Sequence, residues 1–228
     1  MWVGSMRIVD PSFTIITPNI VFDSMLQNIE QAARTCYAST VSQNPKAFLN
    51  GLLQRGHFSV FEHEFISVKL TIDRAISHEL VRHRLASYSQ ESTRYVKYEE
   101  LEVVKPWWFG ECAITRTMRD VLNDSALYTR MQRNWLVAML EAETAYRDML
   151  DSGATKDMAR SVLPNSTATR IIITANLREW RHILSLRTDK HAHPDMRAIM
   201  CPLLSELRDR IDVVFDNIGD ADANSIMS

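Results

Sequence analysis

The sequence predicts one domain of mixed α and β structure. Short runs rich in β-branched residues alternate with longer stretches whose apolar side chains recur at helical spacing. At 228 residues and 46% apolar content the chain can bury one sizeable core, and no Pro/Gly/Ser-rich linker interrupts it. A net charge of −2 confines any basic site to a local cluster, which argues against general nucleic-acid binding through a global positive field. No apolar run approaches the roughly 18 residues a bilayer span needs, so a soluble, cytoplasmic protein is expected. The three cysteines, Cys36, Cys112 and Cys201, are odd in number and widely spaced, which suits reduced thiols serving as small core residues.

Residues 1–6 lack the basic start and apolar run of a signal peptide, and Gly4-Ser5-Met6 reads as a cloning remnant or an early start. Residues 6–10 and 12–17 are β-rich and separated by Pro11. Helices are expected over 23–36 and 46–53, the second stopped by Gly56, with a Ser/Asn/Pro loop between them. Residues 64–70 suit a strand, and 95–105 an extended segment leading to Trp107 and Trp108. The Met/Leu/Trp stripe over 118–149 predicts one long helix or two in series, ended at Gly153. A short helix over 156–162 stops before Pro164, a buried strand covers 167–175, and helices follow over 176–187 and 195–218. Residues 219–228 read as a frayed tail.

The chain is organised around residues 82–95, where Arg82, His83 and Arg84 lead into a hydroxyl-rich segment ending near Arg94. A helix over 71–81, with Asp73 available as a cap, would carry these cations at its C-terminal end, and Ser87 to Thr93 would form a loop suited to a phosphate or a base. Arg-His-Arg alone also suits a solvated cap on the last helical carbonyls. Arg170 stands in an otherwise β-branched run, where a guanidinium needs an anionic partner. His191 and His193 have the spacing of a metal pair, but no third ligand is suggested and Pro194 marks a helix start, so no metal is expected. A serine hydrolase lacks support, because no Gly-x-Ser-x-Gly elbow occurs.

Arg82-His83-Arg84, seven residues, Ser92 and then Arg94 fix five positions in thirteen, and this string resembles the signature of the flavin-dependent thymidylate synthases. Two further blocks resemble that family: His57-x-Ser59-x-x-Glu62-His63, and Asn176-x-Arg178 with Arg187 eleven residues after the Asn. The resemblance implies an α+β domain, a mixed or antiparallel sheet flanked by long helices, assembled as a homotetramer with sites shared between subunits. It implies conversion of dUMP to dTMP, with methylenetetrahydrofolate as carbon donor and NADPH as reductant through bound FAD. Carried over by position, FAD would meet His57, Ser59, Arg82, His83, Arg84, Gln90, Asn176, Leu177, Arg178 and His182. The nucleotide would meet Glu79, Leu80, Val81, Arg82, Gln90, Glu91, Ser92, Thr93, Arg94, Arg170 and Arg187, the last also stabilising charge on the uracil as the catalytic residue. Glu79 stands where Gln is expected and Gln90 where Glu is common, so a carboxylate at Glu79 needs Arg74 or Arg82 to neutralise it. Arginines and aromatics would also serve a non-catalytic nucleotide- or RNA-binding module, the alternative reading.

Overall fold

Two short strands, β1 (Arg7–Val9) and β2 (Ser12–Ile15), flank Pro11 in a computed structural model that describes residues 6–36, 38–40, 45–110 and 128–219. Helix α1 (Asn19–Thr35) turns Phe22, Met25, Ile29 and Ala33 inward, and α2 (Pro45–Gln54) does the same with Leu49, Leu52 and Leu53. A 3-10 turn over Ser59–His63 enters β3 (Phe65–Asp73), where Ile66, Val68, Leu70 and Ile72 are buried at every second position. Asp73 then caps α3 (Arg74–Leu80), its Oδ1 accepting from the Ile76 amide at 2.6 Å.

Beyond a turn come β4 (Ala86–Gln90) and β5 (Glu102–Val104). A capping box between Thr129 and Gln132 starts α4 (Arg130–Asp151), and the Thr155 hydroxyl starts α5 (Lys156–Ala159). Strand β6 (Ala168–Asn176) passes directly into α6 (Leu177–Arg187), followed by α7 (Pro194–Arg210) and α8 (Asp212–Phe215).

The described residues fall into two compact units, each built from three stretches of chain: those up to residue 12, within 71–80 and within 90–171 in the first, and those within 13–70, within 81–89 and from 172 to 219 in the second. In the first, β1 and β5 pair in parallel, Ile8 opposite Val103, over a core of Met6, Leu101, Phe109, Leu136 and Leu140. The second holds most of a four-stranded sheet of order β2-β3-β6-β4. The Leu177 amide donates to the Glu64 carbonyl, while the Ser67 and Thr174 hydroxyls lie 2.8 Å apart, so partners advance in opposite directions and β3 and β6 are antiparallel. Trp180 is fully buried beneath this pair and donates its indole N–H to the Ile66 carbonyl at 2.9 Å.

Several expectations are corrected. Thr71 to Asp73 continue the strand instead of beginning a helix, because β-branched Thr71 and Ile72 extend the alternating pattern and the helix starts only after the Asp73 cap. The hydroxyl-rich stretch forms β4, not a loop, as far as Gln90: Ser87 and Ser89 face solvent while Ala86, Tyr88 and Gln90 are half-buried, a period of two. The final helix breaks at Ile211, where φ is −148°, and the Arg181 and Arg208 guanidinium groups donate to carbonyls at Val214 and Phe215. Cys36 is exposed, since it sits at the cap after the last turn of α1 and not on its apolar face, and Cys201 is half-buried. Residues 111–127, with Cys112 and the start of the long helix expected over 118–149, lie outside the described residues; α4 is its second part.

Trp180→Ala is expected to cost about 3–5 kcal/mol, since it removes a buried indole and orphans a strand carbonyl. Trp180→Phe, losing chiefly the hydrogen bond, is expected to cost less. Denaturant midpoints at unchanged m-value would measure both.

Candidate functional site

In the second unit a cavity of about 930 Å³ is lined by Arg82, His83, Arg84, Asn176, Arg178 and His182, together with Glu62, Leu85 and Glu179. Besides Glu62, two stretches almost a hundred residues apart supply it, and their local geometry explains how. Leu80 anchors the end of α3 in the core, so the chain must turn at once and present Arg82 and Arg84 to solvent while His83 folds inward at 7% exposure. From the other side, the Asn176 side chain accepts from the Glu179 amide at 2.8 Å and starts α6. Arg178 and His182, four residues apart, then lie on one face of that helix. Arg178 is ion-paired to Glu62, both being about half exposed.

His83 is the best-held side chain of the group. The Arg187 Nε–H donates to its Nε2 at 3.0 Å, its Nδ1 lies 3.8 Å from Glu179 Oε1, and its ring meets the His182 ring edge-on at 5.6 Å. The Tyr88 hydroxyl donates to the His83 carbonyl at 2.8 Å. Burial, helped by the Arg187 charge and by His182, pulls the imidazole down to about 4, so it is neutral at physiological pH. Burial likewise raises the Glu179 carboxyl, against the opposing pull of His182 and Arg178. The Tyr88 phenol is pushed up to about 12, by burial first and the Glu179 charge second.

Arg187 therefore joins the cluster through His83. His57 and Ser59 border a second cavity in the same unit, of about 360 Å³, and Arg178 lines both. Leu177 is fully buried, its amide spent on the Glu64 carbonyl.

The first unit gathers most of the remaining positions expected to bind substrate. Arg170 is paired with Glu102 and, at 3.5 Å, with Glu91, so the anion its strand position demanded is supplied from within the chain. Burial alone would lower the Arg170 pKa, but the two carboxylates outweigh it and raise it. The Gln90 amide donates to the Ser77 hydroxyl at 2.9 Å and to the Thr169 hydroxyl at 3.2 Å, an internal role in place of an open one. Ser92 Oγ accepts from the Arg94 amide at 3.3 Å, and Arg94, ion-paired to Asp157, lines a cavity of about 550 Å³ with Tyr95 and Lys156. Thr93 and Leu80 are buried, and Glu79 is half-buried. Val81 and Arg82 belong to the second unit, as does Arg187. His193 caps α7, its Nδ1 accepting from the Asp195 amide at 3.2 Å.

Sequence reasoning missed Glu179 and Tyr88. A signal for the first was available: a carboxylate between Leu177 and Trp180 at the start of a largely buried helix needs a partner.

Comparison with known proteins places the chain in a family. The family described as thymidylate synthase complementing protein matches residues 21–211. A flavin-dependent thymidylate synthase of Mycobacterium tuberculosis is 38% identical over 195 residues, covering 82% of this chain and 77% of its own, and one of Mycobacterium avium is 37% identical over the same length. The fold is also that of a UMP/dUMP methylase, PolB, from Streptomyces cacaoi, crystallised with 5-Br dUMP, with a TM-score of 0.73 and 22% identity over 92% of this chain and 96% of that one. With the family matched over most of its length, and the signature arginines, His83 and Asn176 meeting around one cavity, the chain belongs to the flavin-dependent thymidylate synthase family.

Proposed function

We propose that this chain methylates dUMP to dTMP, taking the carbon from methylenetetrahydrofolate and reducing equivalents from NADPH by way of bound FAD. The observation that carries the reading is the cationic cavity of the second unit, where Arg82, Arg84 and Arg178 converge with the Asn176 amide and a neutral His83. This donor set fits FAD: a pyrophosphate calls for guanidinium groups and N–H donors, and a neutral imidazole beside it avoids stacking a further charge in the pocket. Arg82, Arg84, Asn176, Arg178 and His182 would hold the group, with His57 and Ser59 at the adjoining cavity. When bound, FAD supplies hydride chemistry that these side chains lack.

For the nucleotide, Arg94 offers a guanidinium to a cavity in the first unit, and the Ser92 hydroxyl, which accepts from the Arg94 amide, lies two residues away in the chain. Arg170 would serve by exchanging one of its carboxylate partners for a phosphate. Arg187 has its Nε fixed by His83, which orients the plane of its guanidinium, and stabilisation of negative charge on the uracil is its proposed role. Each unit is assembled from three separate stretches, which supports treating the whole chain as one working domain; a cytoplasmic location is part of the same proposal. A homotetramer would provide the further walls that FAD, a nucleotide and a folate together require.

Tritium release from C5-labelled dUMP in the presence of FAD, NADPH and methylenetetrahydrofolate tests the reading. Folded, flavin-loaded protein that releases none would leave a nucleotide-binding module instead. Arg187→Ala is expected to lower thymidylate formation roughly a hundredfold to a thousandfold, with Arg187→Lys also impaired because it lacks the planar fork. Flavin retention in both is the control. Arg178→Ala should weaken FAD by about 2 kcal/mol, roughly thirtyfold in Kd, read from the flavin absorbance titration.

His83 also sets a pH dependence. Its pKa falls from an ordinary 6.5 to about 4 on folding, so between those values the unfolded chain binds a proton that the folded one refuses. Stability should therefore fall as pH drops through that window, by up to about 3 kcal/mol, with no contribution from this group above it. Denaturant midpoints against pH, with and without His83→Asn, would isolate the effect.

A further inference from the structure

We propose that Glu179 is a positioning residue for Arg187, acting by selecting the tautomer of His83; this rests on the synthase reading given above. The Arg187 Nε–H donates to His83 Nε2 at 3.0 Å, and a guanidinium has donors only. Nε2 must then present its lone pair, which places the proton of the neutral ring on Nδ1. That nitrogen faces Glu179 Oε1 at 3.8 Å. An ionised carboxylate has acceptors only, so the charge on Glu179 favours the same tautomer that Arg187 requires. With that charge removed, only the Arg187 donor still favours this tautomer. The Nε2–H tautomer, which sets a proton against that donor and breaks its bond to His83, then gains population.

One helix supplies both ends of the arrangement. Glu179 lies in the first turn of α6 and Arg187 is its last residue, about 12 Å apart along the axis at 1.5 Å per residue. Side chains on a helix lean toward its N-terminus, so Arg187 reaches back, and the His83 ring spans the gap that remains. Other groups face the ring from each element around it. His182 on α6 meets it edge-on, Tyr88 on β4 holds its carbonyl, and Arg82 and Arg84 flank it in the turn. Arg178, paired to Glu62, attracts the Glu179 charge. Glu179 is 6% exposed, and burial holds its pKa above the ordinary carboxylate value, so the selecting charge itself titrates as the medium acidifies.

The test uses flavin-loaded protein and two readouts: the nitrogen NMR signature of the His83 ring, and kcat for tritium release from C5-labelled dUMP. Glu179→Gln preserves the shape, and its amide presents either an oxygen or an NH2, so it removes the part of the selection due to Glu179 without opening a cavity. Wild type should show Nδ1–H, and Glu179→Gln a mixture of tautomers with kcat lower by about tenfold to a hundredfold and flavin retained. As pH falls, kcat of the wild type should decline through the Glu179 titration, while Glu179→Gln stays level there. Glu179→Leu should show a loss at least as large. Should the leucine variant fail to fold, Glu179→Gln decides alone. An unchanged His83 tautomer in Glu179→Gln, or an unchanged kcat, overturns the proposal. If wild type releases no tritium, the synthase reading fails, and the tautomer readout still decides whether Glu179 selects the state of His83.

Discussion

The hydrogen bond from the Glu179 amide to the Asn176 side chain sets the direction in which α6 leaves β6, and the second unit's cavity depends on it. Beside it, the Leu177 amide donates to the Glu64 carbonyl and ties the helix start to the neighbouring strand. With its first residue fixed this way and Trp180 locked beneath the sheet, α6 can present Arg178, Glu179, His182 and Arg187 only in one orientation. Four chemically different side chains are thereby positioned by a single strand-to-helix junction.

The cations of the molecule are held with different strengths, and the difference bears on function. Arg178 and Glu62 are both about half exposed, and such a pair is worth only about 0–1 kcal/mol, so an incoming anion would displace the carboxylate at little cost. Arg170 is more buried and shared between two carboxylates, so exchanging a partner there calls for a ligand of comparable charge. At Arg187 the Nε–H donates to the neutral His83 ring, and that contact orients the guanidinium without itself cancelling its charge, in keeping with the role proposed for this residue.

Much of the fold was legible in the sequence because burial wrote periodicity into it. The strand at 167–175, the helix at 176–187 and the helices at 23–36 and 46–53 each carry an uninterrupted pattern, and the structure has them within a few residues. The misreadings have separate causes. Ser87 to Gln90 is a short polar stretch whose state is decided by pairing with a distant strand, which local composition does not encode, whereas Thr71 and Ile72 carry the β-branched signal and the helix begins only after the Asp73 cap. Cys36 stands one position beyond the end of its helix, and the last helix breaks at Ile211, after which the Val214 and Phe215 carbonyls accept from Arg181 on α6 and from Arg208 on α7 itself.

For the site, the sequence by itself determined which residues carry charge and that Arg82 to Arg84, Asn176, Arg178 and Arg187 match one family's blocks, because such motifs are runs of fixed spacing. Only the tertiary structure decided that His83 lies between Glu179 and Arg187, and which of its nitrogens faces each. The residues are almost a hundred positions apart, and a tautomer follows from the donors and acceptors around a ring. Those neighbours are chosen by the packing of α6 against the turn after α3, a relation that neither stretch contains alone.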